Sequence, residues 1–377
     1  MRIVIITAND GFFLSHRKDL GLFLIKEGWG VYVLAQKTKD EYVEEIISLG
    51  FEFIPICFDR SKMTQSDVKM LVELYSIYKK ITPDLIIAVA LKPILWGGVV
   101  ARQLSIPMVG IVSGLGFLFT GERKMILKKM VVFGLRYLIS KRNNYFIFQN
   151  DDDKEIFIKN NIVAMNKFYM IRGMGVNLGE FKQTSFHDKQ RVRFLFPARM
   201  LKDKGLIEYI DAAKIVEKQV SHVEFILAGS IDRAHPTAVA EEELKELIAN
   251  TSISWIGYQE NMIPVYEASD IVVLPSYREG FPKVLIEAAA IGRPIITTDV
   301  PGCKDAVQDG INGYLVPVKN VEKLVEKMFC FIYNNKLKYE MGNASSRIAR
   351  KYYDNIKINT QYLSFFNTIL SAETYNN

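Results

Sequence analysis

The chain has 377 residues, 49% of them apolar and 24% charged, the composition of a globular protein of about two ordinary domains. Its three cysteines, Cys57, Cys303 and Cys330, lie far apart with no CxxC pair. That fits a reducing compartment and argues against a disulfide framework or a structural zinc, while a net charge of +6 says little unless the positive residues cluster.

The opening "MRIVIITAND" holds only a short apolar run before Asn9 and Asp10, so it reads as a first strand and not as a signal peptide. Further β-branched runs predict strands at 31–35, 51–56, 84–89, 107–112 and 145–149, with helical patterns between them, for example 14–27 and 64–80. Strands alternating with helices predict a parallel sheet covered on both faces. The longest uncharged stretch, 103–121, would by length just permit a membrane span. It contains four glycines and a proline, and reads better as a buried strand followed by a glycine loop. "DDD" at 151–153 reads as a helix start.

Residues 173–190 are polar, glycine-containing and aperiodic, and read as a linker. A second series of strands follows at 192–198, 223–229, 252–257, 270–276 and 294–299. The expected architecture is therefore α/β, with two doubly wound domains at 1–174 and 175–352. Ligands of such sheets bind at the carboxyl ends of the strands, and two facing sheets would place one in the cleft between them. The last helical stretch, 353–371, has no strand after it and is expected to pack back on the first domain.

The stretch "SYREGFPKVLIEAAAIG", 276–292, carries most of the chemistry. Pro282 suits the first helical position and pushes Phe281 out of the helix, so Glu279 stands in the loop ahead of a helix starting near 282. The N–H groups of Gly280, Phe281, Lys283 and Val284 are then without helical partners and form an anion site with the helix dipole. Gly280 lets the backbone approach a ligand closely. Glu287 lies inside an apolar helix, where a carboxylate needs a partner. From helix rise the two carboxylates stand on the order of 10 Å apart. That spacing suits two ends of a long ligand, with a sugar at one, a ribose at the other and phosphates over the helix start. Equally open is a Glu287 that only pairs with a nearby cation in the core. "PARMLKDKG", 197–205, follows the first strand of the second domain, and its Arg199 and Lys204 could reach a nucleotide diphosphate. A solvated basic loop is the alternative, and the position at a strand's carboxyl end favours the functional reading.

"RMLKDKG", "LAGS" and "GYQEN", with 265–317 from "VYEASD" to "GYLVP", resemble the second domain of GT-B glycosyltransferases of family 4, with Glu279 and Glu287 as the E-x7-E hallmark. "GFFLSHR", the "SGLG" loop and "GVNLGEF" agree more loosely in the first domain. The resemblance implies that Glu279 meets the donor sugar, Glu287 the ribose, and Arg199 and Lys204 the diphosphate. It also implies that Gly280, Phe281, Pro282, Lys283 and Val284 line the sugar and phosphates, with Tyr258 and Gly229 near the nucleotide. It implies transfer with retention and no metal or other cofactor, and no Asp-x-Asp stands at a strand end to hold one. In the first domain Gly11, Ser113, Gly114 and Gly116 are acceptor-side candidates. Some members carry a histidine in the loop after the fifth strand, and this chain has none in "VSGLGFLFT". His16, read as lying at a helix start, is the remaining candidate, although a lone histidine there is more often structural.

The segment 121–144 holds seven Lys or Arg against one Glu, interleaved with apolar residues. Lys124, Lys128, Lys129 and Arg136 on such a basic amphipathic helix suit an anionic membrane, at roughly 1 kcal/mol per basic residue; a helix packed on the sheet with a solvated basic face is the plainer reading. No nucleic-acid motif accompanies the charge. The further resemblance is to bacterial enzymes that extend undecaprenyl-diphosphate-linked sugars in O-antigen, capsule or glycan assembly. It implies a peripheral enzyme on the cytoplasmic face of the membrane that uses a UDP-linked donor, nearest to an α-1,3 transfer of N-acetylgalactosamine. Another UDP-hexose, a GDP-mannose donor, a UDP-sugar 2-epimerase and a non-catalytic nucleotide-sugar-binding partner are the alternatives.

Overall fold

The computed structural model describes residues 1–58, 65–115, 125–136, 144–186, 191–233 and 235–374, and their side chains except at 65–67, 125–127, 373 and 374. The chain divides into two compact units, Met1–Met174 with Asn355–Asn377, and Gly175–Asp354.

In the first unit seven parallel strands, β1 (Arg2–Asn9), β2 (Gly30–Gln36), β3 (Glu52–Pro55), β4 (Leu85–Val89), β5 (Met108–Val112), β6 (Asn144–Phe148) and β7 (Phe168–Met170), lie in the order β3-β2-β1-β4-β5-β6-β7. The continuous burial of β1, β4, β5 and β6 is what a strand covered on both faces requires. Alternate residues feed two cores. Val4, Ile6, Ile86 and Ala88 pack with Leu74 and Tyr78 on one face, and Ile3, Ile5, Ile87 and Ile111 pack with Leu20 and Leu24 on the other. The C-terminal helix Asn355–Thr374 completes the second core through Ile358, Tyr362, Phe366 and Ile369, which recur at helical spacing along one face.

The second unit holds six parallel strands, β8 (Val192–Pro197), β9 (Val223–Ala228), β10 (Ile253–Trp255), β11 (Ile271–Leu274), β12 (Ile295–Thr298) and β13 (Gly313–Val316), in the order β10-β9-β8-β11-β12-β13. The order reverses between β8 and β11, as it does between β1 and β4 in the first unit. That reversal is where an open α/β sheet presents its ligand site.

Three sequence expectations change. The helix expected over 14–27 is two helices, Asp10–His16 and Lys18–Lys26, broken at Arg17, whose φ is −132°. The first begins earlier because the Asn9 side chain accepts the N–H of Phe12 at 2.8 Å, an N-cap. β7 and β13 were not expected, being edge strands of three and four residues, too short for an alternation signal. The described part of the polar segment 173–190 lacks regular structure but is fastened to the second unit. Val176 N–H donates to Tyr353 O at 2.7 Å and Thr184 N–H to Ile291 O at 3.1 Å. The fully buried Arg293 donates to Thr184 O, Tyr266 O and Glu267 O at 3.1–3.2 Å. Five-donor geometry lets one guanidinium tie three segments together.

A buried ion pair closes the same core. Lys338 Nζ lies 3.0 Å from Asp270 Oδ1, and Asp270 Oδ2 accepts the N–H of Arg193 at 2.9 Å. Lys338→Met would leave that carboxylate buried without its cation, at a cost of about 3–5 kcal/mol. Urea denaturation should show a lower midpoint with an unchanged slope.

Candidate active site

The exits of β8 and β11 are joined by a polar cluster. After β8 the chain makes a short turn, Lys202–Lys204, and Gly205 leaves it with φ +76°. A Cβ at Gly205 would stand 2.1 Å from Pro275 O, so only glycine lets the two exits meet. Tyr277 N–H and Ser276 Oγ donate to Asp203 O at 2.9 and 3.2 Å. The side chains finish the junction, with Lys204 Nζ 2.5 Å from Glu279 Oε1 and both largely buried. Glu279 is held from behind, since its N–H donates to Pro301 O at 3.1 Å. Gly302, at φ +81°, has no room for a Cβ, which would lie 2.5 Å from Glu279 O.

The helix beyond this loop runs Lys283–Ile291, with Pro282 (φ −72°, ψ 114°) as its N-cap and not its first residue. The extended ψ of Pro282 moves the helix start one residue on. Leu285 N–H turns back to Pro282 O at 3.1 Å, so Lys283 and Val284 supply the terminal N–H groups. Gly280 and Phe281 precede them, and Phe281 is buried edge-on against Tyr353. Glu287, one turn in, is 5% exposed. Its Oε1 lies 3.1 Å from Lys283 Nζ and its Oε2 accepts the Tyr266 hydroxyl at 2.9 Å. The core pairing raised for Glu287 is thus made, by a lysine one turn away and a buried tyrosine. Burial, with the carboxylate adding to it, pushes the Tyr266 hydroxyl well above its ordinary pKa, so it stays a donor.

Arg199 Nη1 lies 2.5 Å from Asp232 Oδ2. Gly229 closes in from the neighbouring strand, where a Cβ would stand 2.0 Å from Ala198 O, and its N–H donates to Gly257 O at 2.8 Å. Tyr258, next to Gly257, is 66% exposed.

In the first unit Gly11 follows β1, with its N–H on Asp10 Oδ1 at 2.7 Å. Ser113 and Gly114 (φ +109°) follow β5. His16 is placed differently from expectation. It ends the helix Asp10–His16, stacked on Phe12 at 4.3 Å with Nδ1 2.6 Å from Ser15 Oγ. Gly116 and Lys124 lie outside the described residues. On the helix Met125–Gly134, Lys129, Met130 and Phe133 are exposed and Lys128 is half-buried; Arg136, just beyond, is exposed.

Sequence reasoning missed several of these partners. Tyr266 and Cys303 lie within the stretch that carries the resemblance but were given no role there, Asp232 lies outside it, and only the fold brings the three in. Cys303 is fully buried, and burial, helped by the nearby Glu279 charge, pushes its thiol up to about 12, which keeps it unreactive. Asp10 is another. Buried after β1, it accepts from the N–H groups of Gly11, Thr38 and Lys39 and from the Thr38 hydroxyl, joining the exits of β1 and β2. Its place beside the N-cap Asn9 was the available signal. Among the described residues no group of three or more His, Cys, Asp or Glu is gathered as a metal site.

Residues 177–347 match the family model of glycosyl transferases group 1, and residues 2–150 match the glycosyl transferase 4-like model. The chain is 28% identical over 347 residues, 88% of its length and 90% of the other, to the N,N'-diacetylbacillosaminyl-diphospho-undecaprenol alpha-1,3-N-acetylgalactosaminyltransferase of Campylobacter jejuni. It is 26% identical, over 70% of each chain, to the UDP-Gal:alpha-D-GlcNAc-diphosphoundecaprenol alpha-1,3-galactosyltransferase of Escherichia coli. The solved structure of Anabaena HepE with UDP and glucose superposes with a TM-score of 0.79 at 17% identity, covering 97% of this chain and 99% of that one.

Tyr266→Phe removes the hydroxyl that Glu287 accepts. Leaving a buried acceptor short of a partner costs about 1–3 kcal/mol, which should appear as a lower thermal midpoint, with the fold unchanged by circular dichroism.

Proposed function

The chain belongs to the GT-B glycosyltransferases, with group 1 and 4-like domains, and on that premise we propose that it transfers one sugar, with retention, from a UDP-linked donor to an undecaprenyl-diphosphate-linked sugar. The observation that carries the reading is the Lys204–Glu279 contact at the switch between β8 and β11. There a cation for phosphate and a carboxylate for sugar hydroxyls stand side by side.

The leaving group of such a reaction is a nucleoside diphosphate, whose negative charge grows as the sugar bond breaks. Arg199 and Lys204 meet that charge with side-chain donors, and Lys283 and Val284 meet it with N–H groups at a helix start. Fixed donors of this kind need no reorganisation in the transition state. Glu279, held by Lys204 and by the Pro301 carbonyl behind it, accepts sugar hydroxyls, and Glu287 accepts those of the ribose. The proton of the acceptor hydroxyl passes to the departing phosphate oxygen, so the chemistry requires no metal and no further cofactor. Gly11, Ser113 and Gly114 belong to the acceptor side, and His16, with Nδ1 engaged by Ser15, orients local structure.

Donor and acceptor identities draw support from the activities of the Campylobacter and Escherichia relatives, both of which are named for action on undecaprenol-linked sugars. N-acetylgalactosamine in an α-1,3 linkage is the specific reading. The exposed Lys129, Met130, Phe133 and Arg136 support peripheral contact with the inner face of the cell membrane, basic residues meeting anionic headgroups and apolar ones the acyl boundary.

A transfer assay with a synthetic N-acetylhexosamine-diphospho-lipid, a panel of UDP- and GDP-sugars and chelator present should give a mass gain with a UDP-N-acetylhexosamine. Interconversion of the donor without transfer would instead identify an epimerase. Glu279→Ala should lower kcat by at least about a hundredfold, the scale of removing one preorganised polar group, without unfolding the second unit. Lys129→Glu with Phe133→Ser should weaken sedimentation with phosphatidylglycerol vesicles while leaving turnover of a short-chain soluble acceptor unchanged.

A further inference from the structure

The loop after β9 lies along the segment that carries Arg199 and Lys204. Met200 N–H donates to Ser230 O at 3.0 Å, Lys202 N–H to Thr237 O at 2.8 Å, and Val239 N–H to Met200 O at 3.0 Å. Side chains continue the attachment. Asp232 takes Arg199, and Thr237 Oγ1 donates to Asp203 Oδ1 at 2.8 Å. His235 Nδ1 stands 3.0 Å from Thr237 Oγ1. A threonine hydroxyl has one hydrogen, and the Asp203 carboxylate takes it, so Thr237 Oγ1 is left to accept from a protonated Nδ1. The Thr237 N–H donates to the same nitrogen, at 3.4 Å, when that nitrogen is unprotonated.

The charges around this imidazole are Asp203 and Lys204 on the turn, Arg199 at the exit of β8 and Asp232 on its own loop. Lys204 is paired in turn with Glu279. Three carboxylates therefore face two cations before any diphosphate arrives, and a diphosphate brings at least two more negative charges. Histidine alone among these side chains changes charge near neutrality.

We propose that His235 takes up a proton when a diphosphate docks on Arg199 and Lys204, and so becomes a further cation of the donor site. The inference rests on the donor reading of those two residues. In the chain by itself burial chiefly holds the imidazole below its ordinary pKa; Arg199 and Lys204 push the same way, and Asp203 and Asp232 oppose them. Added negative charge moves it up. The His235 contribution to binding is then complete below the lower value and is lost as pH rises through the upper one.

The test is calorimetric titration with UDP at pH 6.5 in two buffers of different ionisation heat, with wild type against His235→Asn. The asparagine amide keeps a donor towards Thr237 and does not titrate. The terminal phosphate of UDP, with a pKa of about 6, contributes equally to both proteins, so the difference in protons taken up reports His235. Wild type should take up more, and its affinity should fall between pH 6 and 8 more than the variant's, by about tenfold for each unit of pKa shift. His235→Gln, the second non-titrating variant, should match His235→Asn. Equal proton counts in wild type and variants would overturn the proposal. A wild type that bound no UDP would overturn the donor site itself, and this inference with it.

Discussion

Lys204 and Glu279 come from segments 75 residues apart and meet at 2.5 Å, and the second unit is arranged so that they can. Parallel pairing of β8 with β11 puts both exits on the same edge of the sheet, and the reversal of strand order there leaves the space above them uncovered by a crossover helix. Gly205 then admits the Pro275 carbonyl and Gly302 admits those of Glu279 and Gly280. Two positions without a Cβ thus set the separation at which one ion pair can form.

Each cation of the cluster is paired with an acid, and Asp203 stands beside the pairs as a further carboxylate. Arg199 is paired with Asp232, Lys204 with Glu279 and Lys283 with Glu287. Each cation suited to phosphate is presented by an acid and kept in a defined geometry. A pair shielded from water is stronger than one at the surface, and the Lys204–Glu279 pair, at 19% and 13% side-chain exposure, is the more shielded of the first two. That ranks Lys204 and Glu279 as the fixed part of the site and Arg199, 43% exposed, as the part free to follow a ligand.

The first unit uses the same architecture for a different end. Its β1 exit is tied to the β2 exit by the saturated carboxylate of Asp10, and its β5 exit opens into a glycine-containing loop. At the β2 exit Lys37 is paired with Asp40 at the surface. The charge-dense exits belong to the second unit, and the exposed basic and apolar residues around Lys129 and Phe133 belong to the first.

The two-domain α/β plan was legible because buried parallel strands write themselves as short β-branched runs, and the E-x7-E stretch was legible because its helix is local. Burial of Glu287 followed from its apolar neighbours, and the positions of Arg199 and Lys204 from the strand before them. The sequence alone did not disclose which groups answer those charges. Tyr266 reaches the site from the helix Ile263–Glu267 and Asp232, Thr237 and His235 from the loop after β9, so no local spacing encodes them. The break at Arg17 and the shift of the helix start past Pro282 depend on backbone angles that propensity does not resolve. Local pattern decides what each segment is. The tertiary structure decides which distant segments meet, because hydrogen bonds and ion pairs act over a few ångströms of space and not over positions in the chain.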